Sequence, residues 1–92
     1  MIDNEEDRAV RLGDLAEALL QSEPFLTTIT DLDQRYYKAW LTSPAAQTGD
    51  REFLHAKARA LQDIVAELAQ RVAVRDQIYN RREAENFSED DI

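Results

Sequence analysis

From Leu54 to Tyr79 one set of positions recurs at spacings of four and three without a slip: Leu54, Ala58, Leu61, Val65, Leu68, Val72, Arg75 and Tyr79. Side chains three and four apart share a face only on a helix of 3.6 residues per turn, so this stretch is predicted to be helical. An average spacing of 3.5 further predicts that the helix winds along a neighbour. Leucine holds the first three d positions (Leu54, Leu61, Leu68), and small or β-branched residues (Ala58, Val65, Val72) hold the first three a positions. Ile64 and Ile78 at g and Ala69 at e widen the stripe beyond a two-stranded seam, and the e and g sites form no ladder of opposite charges. A stripe of that width suits packing against other helices of the same chain or a bundle of several chains. Arg75, the charged member of the series, predicts that the packing loosens toward the basic end.

Two shorter helices are expected before it. Between Glu5 and Gln21, Ala9, Leu12, Ala16 and Leu19 define one face, with Asp3 or Asn4 as N-cap and acids in the first turn. Gly13 inside that pattern disfavours the helix by about 1 kcal/mol relative to alanine, so it either marks a close helix–helix approach, the reading slightly favoured, or is tolerated on the outer face. Ser22-Glu23-Pro24-Phe25 makes the turn into a second helix, because proline is tolerated in the first helical turn and not in the interior. Phe25, Ile29, Leu32, Tyr36, Ala39 and Trp40 mark its apolar face, Thr30 with Asp33 is a candidate internal cap, and Thr42-Ser43-Pro44 ends it. Residues 43–50 connect to the long helix, which Thr48 or Asp50 is expected to cap. The expected fold is therefore all-α: three helices at about 5–21, 24–41 and 50–83, forming a helical hairpin or bundle that oligomerises. Residues 8–83 make one helical domain between an acidic N-terminal segment, 1–7, and an acidic C-terminal tail, 84–92.

The formal net charge is −8 over 92 residues, and its distribution matters more than its sum. Residues 1–7 carry −4, residues 83–92 carry −5, and the body between them carries +1. Arg71, Arg75, Arg81 and Arg82 against Asp76 form a basic stretch that runs directly into the acidic tail. Nucleic-acid binding needs surplus positive charge, so direct binding is disfavoured, although the basic stretch keeps a locally cationic surface in play. The tail reads either as a solvated end or as a screen over the basic helix end that a partner displaces. With no basic start or apolar run in Met-Ile-Asp-Asn-Glu-Glu-Asp, and no apolar stretch approaching the roughly 20 residues of a membrane span, the expectation is a cytoplasmic chain with no membrane association.

Catalysis finds little support. There is no cysteine and one histidine, His55, which lies at an e-type position between Glu52 and Arg59 and reads as a helix-edge residue. His-Glu-x-x-His, glycine-rich phosphate loops and Gly-x-Ser-x-Gly are all missing from the sequence, so a non-enzyme with no metal and no cofactor is expected. Interaction residues are easier to find. Adjacent tyrosines on a helix point about 100° apart, so with Tyr36 and Trp40 turned inward, Tyr37 lies at the edge. Tyr37 and Trp40 with Arg35 form a candidate partner patch, since Tyr, Trp and Arg dominate interface hot spots. The reading against it is that these aromatics simply anchor helix two on helix three. The end of the chain pairs apolar Phe87 and Ile92 with Glu89, Asp90 and Asp91, the composition of a short docking peptide or of a frayed terminus.

Taken together, Tyr36-Tyr37-Lys38-Ala39-Trp40, the connector, Asp50-Arg51-Glu52-Phe53-Leu54 and Ala60-Leu61-Gln62-Asp63-Ile64-Val65 resemble the short helical proteins of head-assembly and DNA-packaging modules in tailed bacteriophages. The resemblance covers about residues 12–75. It implies a non-enzymatic assembly or packaging factor, scaffold-like or small-terminase-like, acting in a bacterial host cell or on an assembly intermediate. Self-association would run through the long helix, with the ends left to dock on other proteins. A small terminase subunit also implies a DNA-reading helix-turn-helix, and here helices one and two have mixed charge and no basic run, so the scaffold-like variant fits better. Two other classes remain: a small acidic inhibitor, such as an anti-CRISPR or nucleic-acid mimic that occupies a basic groove, and a regulatory or antitoxin-like partner protein. A mimic spreads carboxylates over its folded surface, whereas these cluster at the ends.

Overall fold

The computed structural model describes the backbone of residues 4–90 and the side chains of residues 4–86. Three helices follow one another: α1 (Glu5–Leu20), α2 (Glu23–Thr42) and α3 (Thr48–Asp90). Three of these boundaries have a visible local cause, whereas α3 already begins at Thr48, so the cap expected at Thr48 or Asp50 falls inside the helix. The Asn4 side chain accepts a hydrogen bond from the Asp7 N–H at 2.7 Å, capping α1. Ser22 caps α2 by accepting from the Phe25 N–H, with Pro24 in the first turn. The threonine-rich start of α2 is helical, with the Thr28 hydroxyl donating back to the Pro24 carbonyl at 2.8 Å. The internal cap anticipated at Thr30 and Asp33 is therefore not formed, and α2 is one continuous helix. Ser43 ends it, donating both its N–H and its hydroxyl to the Trp40 carbonyl oxygen.

α3 runs beyond the expected end at 83 and carries the first part of the acidic tail as helix through Asp90. The side chains of Phe87, Glu89 and Asp90, and all of Asp91 and Ile92, lie outside the described residues. At 1.5 Å per residue its 43 residues span about 64 Å, close to the 70 Å long axis of the molecule.

α1 and α2 lie end to end along α3, antiparallel to it, and barely touch each other. The pairing runs from Glu6 with Arg82 and Gly13 with Arg75 in α1 to Tyr36 with Lys57 and Trp40 with Arg51 in α2. The result is a helical hairpin whose first arm is broken once, at Gln21-Ser22. The heptad positions Leu54, Ala58, Leu61, Val65, Leu68 and Val72 are all half-buried on this line of contact, while Tyr79 is largely exposed. Because two helices enclose little volume, the buried core is thin: Ala16 at 2% exposure is its one buried apolar residue among those described.

The expectation that packing loosens at Arg75 is overturned. Arg75 is the one buried polar residue among those described, at 8% exposure, and α1 makes more contact with α3 than α2 does. Gly13 explains this: a Cβ built on it would stand 2.5 Å from Arg75 Cβ and 2.8 Å from the Arg71 carbonyl oxygen. With Ala16 beside it, the absent side chain lets the two backbones close up, and the Arg75 stem fills the space while its guanidinium reaches outward.

Candidate functional site

The two ends of the hairpin present different chemistry. At the α1 end the surface is a set of ion pairs. Arg75 donates to Asp14 at 2.9 Å and Glu17 at 2.7 Å across the interface, and to Asp76 on its own helix at 3.0 Å. These bonds, that to Glu17 foremost, raise its pKa still further above the usual guanidinium range. In the first turn of α1, Glu6 pairs with both Arg81 and Arg82, and Asp7 sits 3.5 Å from Arg82. Hydrogen bonding from Arg81, and then the nearby charges of Arg81 and Arg82, hold the Glu6 carboxyl below its usual range against a smaller opposing effect of desolvation. Glu6 in turn raises Arg81. The basic stretch of α3 is thus paired with acids of α1, Glu6 and Asp7 in its first turn and Asp14 and Glu17 further along.

At the α2 end the packing is looser and aromatic. Trp40, 36% exposed, lies under the Arg51 guanidinium, whose centre is 4.4 Å from the ring centroid. Lys57 sits 4.4 Å from the Phe53 ring and 5.5 Å from that of Tyr36. These contacts hold the arm together on one edge of the seam with stems and rings rather than interlocking side chains. On the other edge a groove stays open. Its outer part is lined by Tyr36, Tyr37, Trp40, Leu54 and Ala58 with His55, and its inner part by Ile29, Leu61, Val65, Ala66 and Ala69. Asp33 and Gln62 border both parts, making one continuous, mainly apolar trough between α2 and α3.

The sequence-derived candidates fall on this geometry unevenly. Trp40 and the 60%-exposed Tyr37 both line the groove. Arg35 does not join them: it lies in a separate shallow depression with Asp31, Gln34 and Lys38. The heptad residues form the floor of the groove and the line of contact within the chain. Ile29 and Ala69, marked by the apolar pattern, and Asp33 also line the groove, as do Gln62 and Ala66, which sequence patterning does not single out because their role depends on which edge of the seam the neighbouring helix leaves uncovered. The distribution of exposed large apolar residues, including Leu15, Leu19, Leu26, Leu41, Phe53 and Ile64, is likewise set by the thinness of the bundle.

His55 is exposed at the border of the groove, and no group of three or more His, Cys, Asp or Glu suited to a metal ion occurs among the described residues. No helix among the described residues is long and apolar enough to cross a membrane. What the arrangement offers is apolar area with a polar border, the makeup of a protein-binding surface. No family model, no curated protein and no solved structure matches this chain.

Proposed function

We propose that this chain is a non-enzymatic helical interaction protein that works by self-association and docking, in the manner of the assembly and packaging factors of tailed bacteriophages that its sequence resembles. The observation that supports self-association is the amount of surface left uncovered. The chain exposes 7243 Å², whereas a compact monomer of 10.6 kDa exposes about 5,500 Å². Part of the surplus lies on the open groove. A surplus of roughly 1,800 Å² per chain exceeds the roughly 800 Å² that each partner contributes to a standard interface. The reading as an acidic nucleic-acid mimic is weakened by the same geometry, since Glu6, Asp7, Asp14, Glu17, Glu67, Asp76 and Glu85 are engaged by arginines of the chain itself.

Light scattering coupled to size exclusion tests this. At low micromolar concentration the mass is expected well above 10.6 kDa. Ala66→Glu combined with Ala69→Glu, both exposed residues on the groove, is expected to return it to the monomer with helicity retained. A wild-type chain that runs as a monomer at all concentrations removes the proposal.

A further inference from the structure

Gln62 borders both parts of the groove and a third depression on the outer face of α3 that also includes His55, Arg59 and Asp63. Arg59 and Asp63 are exposed and, among the described residues, form no ion pair, although they are four apart on one helix. Glu67 with Arg71 and Arg81 with Glu85, at the same spacing, do pair. Asp33, half-buried in an apolar setting at the joint of the groove, is also without an ion pair among the described residues. One opposite-charge pair and one buried-side carboxylate are therefore left unanswered beside the apolar trough.

We infer that the occupant of this groove is a second copy of the chain, seated so that the two α3 helices run antiparallel about a two-fold axis beside Gln62. This rests on the self-association reading and fixes its geometry. Self-complementarity is what a two-fold interface requires, since each residue meets its counterpart in reverse order. The axis at Gln62 satisfies it twice. By shape, the small Ala69 of one copy comes opposite the larger His55 of the other, and Ala66 opposite Ala58, which lets the helices approach. By charge, Arg59 of each copy comes within reach of Asp63 and Asp33 of its neighbour, so both copies' unanswered groups are met at once. Two hairpins so joined make a four-helix arrangement over the α2 halves, with Tyr37 and Trp40 at its border.

The absence of native cysteine allows a direct test on the full-length protein. Gln62→Cys is expected to oxidise readily to a covalent dimer. Gln70→Cys, about 12 Å further along α3 and so about 24 Å from its counterpart, is not, because a disulfide needs Cα atoms within roughly 7 Å. Arg59→Asp and Asp63→Arg are each expected to weaken the dimer about tenfold or more. Mixing the two variants is expected to recover most of the lost affinity as a heterodimer, because one copy then presents two acids to two arginines, less the repulsion between the new acid at position 59 and its neighbour's Asp33. A wild-type dimer that ignores both charge reversals, or that cross-links at position 70 as fast as at 62, overturns this geometry and leaves self-association standing. A wild-type monomer overturns both.

Discussion

The two halves of the hairpin share one helix and one heptad pattern, yet α1 and α2 are joined to it by different means. α1 approaches closely through Gly13 and Ala16 and is tied along its edge by arginines, Arg75 to Asp14 and Glu17, and Arg81 and Arg82 to Glu6. α2 carries the large side chains, stands further off, and leaves Trp40, Tyr37, Ile29 and Val65 lining an open trough. Small residues let a helix pair approach closely. One end of the molecule is closed by small residues and ion pairs, and the other keeps an open, mainly apolar groove.

The largest expected effect comes from blocking the close approach. Gly13→Val puts side-chain atoms against the Arg71 carbonyl and the Arg75 stem, which must move together with α1. Overpacking of this kind costs about 1–3 kcal/mol, and with backbone involved the upper part of that range is expected. Hydrogen exchange by mass spectrometry should show the loss of protection in α1 and the C-terminal half of α3, with the α2 end retained; a uniform loss along the chain would erase the distinction between the ends. Next in size is Leu61→Ala, in the floor of the groove. Removing a half-buried leucine from a loosely packed seam is expected to cost about 2 kcal/mol in urea unfolding, at the low end for such truncations, because neighbouring side chains can settle into the space.

A smaller effect is expected from acid, and its sign follows from Glu6. A carboxyl held below its usual value in the folded chain contributes stability above the unfolded pKa, about 4.3, and loses that contribution as pH falls through the lower folded value. Arg75 and Arg81 are raised, so their contribution persists everywhere below the unfolded arginine range and is lost only at extreme alkaline pH. Lowering pH from 6 to 3 should therefore loosen the start of α1 first, seen as faster proteolysis near residues 5–20 with Trp40 emission unchanged. Equal change at both reporters would count against the ionic character of the α1 end. The smallest effect belongs to Arg51→Ala. An exposed cation–π contact contributes about 0.5–1 kcal/mol, so stability should hardly move while the emission of Trp40, the one tryptophan, shifts to the red.

Most of the fold is legible in the sequence because helices are local objects. Asn4, Ser22 with Pro24 and Ser43 with Pro44 punctuate the chain, and the 4-3 spacing from Leu54 to Val72 marks the face that the other helices cover. Arg75 is harder to read, since a charged residue at a core position signals weakness until its partners are known. Asp14 and Glu17, 61 and 58 residues away, are placed only by the antiparallel pairing. The end of α3 shows the opposite limit: an acidic composition reads as a tail, while nothing in residues 84–90 breaks a helix already under way. The candidate site is half legible. Its aromatics stand out by type, but Gln62, Ala66 and Asp33 acquire meaning only from the edge of the seam that α2 leaves uncovered.

The most direct test of the contrast between a closed end and an open one is segment-resolved hydrogen exchange measured over a range of protein concentrations. Protection in α2 and the N-terminal half of α3, around residues 29–40 and 54–66, is predicted to rise with concentration, while protection in α1 stays constant. Protection independent of concentration, or a rise confined to α1, would contradict the account.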